Sequence, residues 1–341
     1  MELRRVANAR RIAAVAAVGG AGVGLGAAGI GVLVAEAALA RRAIGPRRAA
    51  APYADGRYGS GTGMSLRLVV LGDSSAAGLG ADSPAQTTGA ILAAGLAQAS
   101  GRPVRYQCLA EIGAESRGLA SQVDRAVFIG PHLAVVLIGG NDVTHRIKPP
   151  ESVRLLAEAV TRLRALGAEV IVGTCPDLGT VGPIRPPLRW VARRLSRQLA
   201  AAQAIGAVEA GARAISLGDL LGPEFAARPH DMFAADRFHP SSAGYAAVAE
   251  ALLPSVLAAT GFPNSADTTQ PSDLSLAQAA VAAADLAGTE ISADVVAARA
   301  GPTGSRWASV RRRVRVPLPN MAPPEPLDDI TLPGEVPPVA R

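Results

Sequence analysis

Five short apolar runs, separated by longer stretches with helical periodicity, set the tightest limit on what this chain folds into. The runs are residues 66–71 (LRLVVL), 103–109 (PVRYQCL), 133–138 (LAVVLI), 168–174 (AEVIVGT) and 212–217 (ARAISL). Each has strand length, and several end at glycine or at Cys175-Pro176, so each reads as a strand entering a turn. Between them, residues 84–99 are Ala-rich, 117–128 are amphipathic and 151–166 carry an apolar stripe at helical spacing. Residues 187–210 are long, helical and basic, and 241–258 open on Ser241 and Ser242 as cap candidates. Strands alternating with helices pair in parallel and need helices on both faces. The expected fold is therefore α/β, with a five-stranded parallel sheet over residues 65–260. In such sheets ligands bind beyond the carboxyl ends of the strands.

Composition agrees with that packing and excludes several functions. The chain is 49% hydrophobic but only 3% aromatic, with Ala and Gly carrying much of the apolar count. Its formal charge is +6, with arginines gathered near residues 4–11, 41–57, 185–197 and 305–315. No zinc-finger spacing or aromatic RNA-binding module accompanies them, so no nucleic-acid partner is expected. Two cysteines, Cys108 and Cys175, are too few for a disulfide scaffold and read as buried thiols. No His/carboxylate cluster has metal spacing, and Gly78-Leu79-Gly80 lacks the third glycine of a dinucleotide fingerprint, so neither metal nor cofactor is expected.

Residues 12–35 contain no charge. As a helix they would run about 36 Å, enough for a hydrocarbon core of about 30 Å. Arg4, Arg5, Arg10 and Arg11 precede them; Arg41, Arg42, Arg47 and Arg48 follow. Residues 1–41 therefore read first as a membrane anchor. A signal peptide cleaved near Ala38-Leu39-Ala40 and a soluble Ala/Gly-rich segment are the alternatives. A short amino-terminal flank held inside places the rest outside the cytoplasm, and cleavage would make the protein secreted. Residues 42–64 read as a Pro/Gly-rich linker.

The polar residues with chemical potential fall just after strands: Gly72-Asp73-Ser74-Ser75, Ala110-Glu111-Ile112-Gly113 and Gly139-Gly140-Asn141-Asp142, with Asp236-Arg237-Phe238-His239-Pro240 before the last helix. Singly they are turn sequences. In this order, each at a predicted site edge, the four segments resemble the four blocks of the SGNH hydrolase family, also called GDSL esterases and lipases. The resemblance covers residues 65–260 and implies a flavodoxin-like three-layer α/β/α sandwich. It implies Ser74 as nucleophile, His239 as base and Asp236 as its orienting acid. It also implies an oxyanion hole from Ser74, Gly113 and Asn141. Two positions depart from the family pattern: Ser75 stands where the family name has Leu, and Cys108 lies near where an Asn is common. Both affect pocket shape rather than catalytic atoms.

The chemistry of these residue types fits those roles. A hydroxyl needs a base, a neutral imidazole serves near pH 7, and a carboxylate fixes its tautomer. Asp73 reads as a brace of the turn. His145 reads either as a substrate contact or as a solvated loop residue. His132 and His230 lie away from the predicted site. Residues 177–197, with Trp190, read as a helix packed on the sheet by Leu188, Val191 and Leu195, the alternative being a pocket cap or lipid contact. Residues 261–341 read as an Ala-rich helical and Pro/Arg-rich, largely disordered tail, whose arginine run Arg311–Arg313 is a candidate for anionic headgroups.

The function implied is a membrane-associated carboxylester hydrolase working through an acyl-enzyme on acyl esters at the cell envelope. An acyltransferase, thioesterase or carbohydrate deacetylase uses the same triad, and a catalytically silent binding module is the non-enzyme alternative.

Overall fold

The computed structural model describes residues 31–44, 50–218, 221–262, 268–275, 289–292 and 307–312. Helix α1 covers residues 31–44 and is followed by the short strand β1 (Gly56–Tyr58). The alternation then runs β2 (Leu66–Gly72), α2 (Thr88–Ser100), β3 (Val104–Cys108), α3 (Leu119–Ile129) and β4 (Leu133–Leu137). It continues through α4 (Gly140–Thr144), α5 (Pro149–Ala165), β5 (Glu169–Gly173), α6 (Leu188–Glu209) and β6 (Arg213–Ile215). Two short helices, α7 (Leu221–Ala227) and α8 (Pro229–Met232), lead into α9 (Ser242–Ala259).

All five strands expected from the apolar runs are present and parallel, in the order β3-β2-β4-β5-β6. That is the doubly wound order of flavodoxin-like folds. Strand alternation sends Leu68, Val70, Val135 and Ile171 to one face, where α2 and α9 cover them with Leu92, Leu96, Leu252 and Val256. Val69, Leu71, Val136 and Val172 point the other way, onto Val123, Leu156, Val160 and Ala207 of α3, α5 and α6. Two apolar layers on one sheet give the three-layer sandwich.

Two stretches differ from the sequence reading. Within the expected linker, β1 pairs antiparallel with β3, and Ala54 and Tyr58 are core residues. The Tyr58 hydroxyl donates to Ala54 O at 2.6 Å, which ties this short strand down. Within the expected tail, β7 (Thr268–Ser275), β8 (Thr289–Ser292) and β9 (Trp307–Arg312) are strands, and β8 extends the sheet antiparallel to β6. Ala-rich composition favours helix locally, but the open edge of β6 offers unpaired backbone groups that a strand satisfies. Pro271 stands in β7, the last strand in the order, where a missing N–H is tolerated. Of the uncharged run 12–35, residues 12–30 lie outside the described residues, as do 276–288, 293–306 and 313–341 of the tail.

Helix α6 also buries a different face from the one expected. Val191 and Leu195 are 37% and 41% exposed; the buried stripe is Ala192, Ser196, Leu199, Ala200, Gln203 and Ala207. Small residues win because α5 lies close: a Cβ at Gly206 would come 2.5 Å from Val153 Cγ1.

Two buried glutamines close the strand ends from the helices. On α3, Gln122 accepts from Gly72 N–H at 2.7 Å and donates to Gly72 O at 2.9 Å. On α6, Gln203 accepts from Cys175 N–H at 2.7 Å and donates to Ile138 O at 3.1 Å. Where the ladder stops, these side chains replace the missing strand partners. Gln122→Leu leaves Gly72 N–H without its partner and Gly72 O with Glu111 N–H alone, a loss of about 1–3 kcal/mol for the unsatisfied buried donor. Chemical denaturation should show a lower midpoint with an unchanged m-value.

Candidate active site

The first loop is fixed by crowding. Gly72 closes β2 with φ +139, and a Cβ there would stand 1.8 Å from Leu137 O. Asp73 N–H donates to that same Leu137 carbonyl at 3.2 Å. Asp73 Oδ1 then accepts from Ser75 N–H at 2.9 Å, an Asx turn that presents Ser74 above the sheet edge. Asp73 thus braces the turn as expected.

The last loop is folded by its own acid. Asp236 Oδ1 accepts the backbone N–H groups of Phe238 and His239, both at 2.9 Å. Its other oxygen, Oδ2, lies 2.6 Å from His239 Nδ1. One carboxylate therefore shapes the turn and holds the ring, while Phe238 meets the imidazole edge-on at 4.9 Å. His239 Nε2 lies 2.9 Å from Ser74 Oγ. Both residues are buried, at 6% and 7% exposure.

These two loops are 165 residues apart in sequence, and α9 binds them together. Ser242 Oγ donates to Asp82 Oδ2 at 2.6 Å, Tyr245 Oη to Leu79 O at 2.7 Å, and Thr88 Oγ1 to Tyr245 O at 3.2 Å. Gly80 has no room for a side chain, since a Cβ would lie 2.8 Å from Pro240 O.

Gly113 and Asn141 lie on the neighbouring loops. Glu111 N–H donates to Gly72 O at 3.1 Å, so the Gly113 loop starts from the end of β2. Gly113 takes φ +84. Asn141 stands in α4 and donates one amide N–H to Ala114 O at 2.9 Å, tying the two loops and leaving its second N–H. Asn141 and Ser74 line the same cleft. Beneath them Asp142, fully buried, accepts from Ser116 N–H at 2.8 Å and from the hydroxyls of Ser116 and Ser152, each at 2.5 Å. The sequence reading quoted Asp142 beside Asn141 but gave it no role; Ser116, Ser152, Gln122 and Tyr245 carried no local signal.

The remaining histidines stand elsewhere. His145 Nδ1 is 2.8 Å from Glu115 Oε1, half exposed and outside the cleft lining. His132 Nδ1 accepts from Arg67 N–H at 3.0 Å near the start of β4. His230 is exposed on α8. Both cysteines are free thiols, Cys175 buried and Cys108 partly so.

The cleft beside Ser74 is apolar. Leu178, Val181, Leu217, Phe225, Phe233 and Phe238 contribute to its walls. Three of the five phenylalanines of this aromatic-poor chain therefore gather here. The two carboxylates of the site sit in opposite environments. Burial pushes the Asp73 carboxyl up to about 6, against the pull of the Ser75 N–H. At Asp236 partial burial also pushes upward, but the imidazole and two backbone N–H groups outweigh it and lower the carboxyl below its ordinary value. Asp236 is thus the ionised partner a histidine requires, and Asp73 is a poor one.

With this geometry in place, comparison with known proteins identifies the scaffold. The model of the GDSL-like Lipase/Acylhydrolase family matches residues 70–247. The GDSL-like esterase Rv1075c of Mycobacterium tuberculosis is 40% identical over 259 residues, covering 72% of this chain and 82% of that protein. Among solved structures, TesA is 26% identical with a TM-score of 0.45, covering 56% of this chain and 98% of TesA. A catalytic mutant of Axe2, an acetylxylan esterase from Geobacillus stearothermophilus, is 21% identical with a TM-score of 0.45, covering 59% and 96% of the two chains.

The raised Asp73 carboxyl has a measurable consequence. A group that gains protons on folding stabilises the native state below its unfolded value of about 3.9 and loses that contribution as pH rises. Here the loss runs from there to about 6. Asp73→Asn keeps the acceptor for Ser75 N–H and removes the ionisation. Relative to wild type, its stability should rise between pH 4 and pH 7 by on the order of 1–3 kcal/mol, read from denaturation midpoints at each pH.

Proposed function

This chain belongs to the GDSL-like lipase/acylhydrolase family and is a serine hydrolase of ester bonds; on that premise we propose that Ser74, His239 and Asp236 form its catalytic triad and that it cleaves acyl esters through an acyl-enzyme. The observation that carries this reading is the continuous relay from Ser74 Oγ to His239 Nε2 at 2.9 Å and from His239 Nδ1 to Asp236 Oδ2 at 2.6 Å.

In this mechanism His239 Nε2 takes the Ser74 proton as Oγ attacks the ester carbonyl. Asp236 keeps Nδ1–H in place and stabilises the imidazolium. The backbone N–H groups of Ser74 and Gly113 and the second amide N–H of Asn141 receive the developing oxyanion. His239 then protonates the leaving alcohol, and the acyl group remains on Ser74 Oγ. Water, deprotonated by the same imidazole, releases the acid and restores the serine. The apolar cleft walls favour an acyl chain over a sugar as the group held beside Ser74. Residues 12–35 anchor the protein in a membrane, with the hydrolase domain outside the cytoplasm. Transfer to an acceptor other than water uses the same steps, so an acyltransferase is distinguished by its product.

Hydrolysis of p-nitrophenyl esters of increasing acyl length tests this reading. Ser74→Ala should lower kcat by about 10⁴ or more and Asp236→Asn by about 10⁴. Asn141→Ala should lower it by about 10²–10³ with a smaller change in KM, as expected for a donor used mainly in the transition state. Activity that survives Ser74→Ala would refute the assignment.

A further inference from the structure

The exposed face at the start of α6 has no role in the chemistry above. Trp190 is 67% exposed there, beside the exposed Val191 and Leu195. Arg185, Arg193 and Arg194 are exposed around them. Arg189 anchors the same turn, donating to Ile184 O at 2.7 Å and Gly182 O at 3.3 Å. Two acidic groups beside this face, among the described residues, are engaged. Asp177, buried, holds Arg193 at 3.1 Å and Arg197 at 3.3 Å. Glu36 Oε2 accepts Leu188 N–H at 2.8 Å, in the first turn of α6.

That last contact fixes where the uncharged run ends. Residues 12–35 carry no charge, and Glu36 is the next residue. Through Glu36, α1 docks on the amino terminus of α6, where a carboxylate is favoured by the helix dipole. Leu33, Glu36, Ala37, Ala40 and Ile44 form the inward face of α1, while Val32, Val34 and Leu39 are exposed and apolar, with Arg41 and Arg42 exposed beyond them. A bilayer entered by the uncharged run therefore lies beside the Trp190 face. That face pairs a large amphipathic ring and aliphatic side chains with arginines, the composition of an interfacial helix.

We propose that the first three turns of α6 and the loop just before them, with Trp190, Val191 and Leu195 inserted among acyl chains and Arg185 and Arg194 on phosphates, form a peripheral contact with an anionic phospholipid bilayer. The proposal rests on the reading of residues 12–35 as a membrane anchor and adds a second, fixed contact to it. Its consequence for catalysis runs through the loop before α6. Leu178 N–H donates to Ser196 Oγ at 3.2 Å, and Asp177 is held by Arg193 and Arg197, so this wall of the cleft hangs from the lipid-facing helix. Seating α6 on the bilayer sets the cleft beside the lipid, from which a membrane-dissolved ester reaches Ser74.

The full chain carrying Trp307→Phe has Trp190 as its single tryptophan. It is reconstituted in vesicles of brominated-acyl phosphatidylcholine, with or without brominated phosphatidylglycerol, and separated by flotation. The proposal expects blue-shifted Trp190 emission, at least twofold quenching by bromine and protection from iodide, each stronger with phosphatidylglycerol and weakened by Arg194→Glu. It also expects Trp190→Ala with Leu195→Gln to slow hydrolysis of a long-chain ester dissolved in the vesicle about tenfold, leaving p-nitrophenyl acetate hydrolysis unchanged. Protein that floats while Trp190 remains open to iodide and unquenched overturns the α6 contact and leaves the anchor intact. Protein that does not float overturns both. Equal quenching in the two lipid mixtures overturns the anionic preference.

Discussion

The close approach of β2 and β4 at Gly72 is the constraint on which the site depends. A side chain there would overlap the Leu137 carbonyl, so the strands meet only around a glycine with positive φ. From that point the chain has one way out: Asp73 N–H takes the Leu137 carbonyl and the Asx turn raises Ser74. The same glycine carbonyl accepts from Glu111 and Gln122, so the Gly113 loop and α3 are referred to the same few atoms. A preorganised hydrolase site needs its donors held before substrate arrives. Here the holding is done by backbone groups at the end of a parallel sheet, supplemented by the buried Asp142 with Ser116 and Ser152.

The second requirement is that the imidazole arrive correctly oriented from the far end of the chain. Asp236 meets it locally, since both its oxygens are used within three residues. The long-range part falls to α9, whose first turn is bonded to the loop after Ser74 through Ser242, Tyr245 and Thr88. Local turn chemistry sets the ring, and the sandwich sets its distance from the hydroxyl. Two carboxylates within one site thereby diverge: Asp73 is buried and raised, while Asp236 is bonded on every side and lowered.

The parallel core was legible because a fully buried strand leaves an unbroken apolar run such as LAVVLI, and each crossover leaves a helical stripe. Ser74 and His239 were legible through the resemblance of four ordered turn segments to a family's blocks, three of them at strand ends and the last before α9. Other features depend on partners distant in sequence. β1 is three residues in a Pro/Gly-rich stretch and exists because β3 has an edge to pair. β7 begins in a polar, turn-rich stretch, β8 lies in the Ala-rich stretch that reads as helix, and β9 lies in the Pro/Arg-rich stretch; β8 pairs on the open edge of β6, and β9 and β7 add to it in turn. On α6, hydropathy chose Val191 and Leu195 for the core, but the crowding of α5 chose alanines and Gly206. Gln122 and Asp142 look like ordinary polar residues until the backbone groups they satisfy are known.

The central claim is that the relay through His239 activates one particular hydroxyl, although Ser74 and Ser75 are adjacent. Fluorophosphonate labelling of the full chain, with intact-mass measurement and peptide mapping, reads this directly. The account predicts a single adduct on Ser74, formed orders of magnitude more slowly in His239→Ala. An adduct on Ser75, or no adduct on the folded wild-type chain, would contradict it.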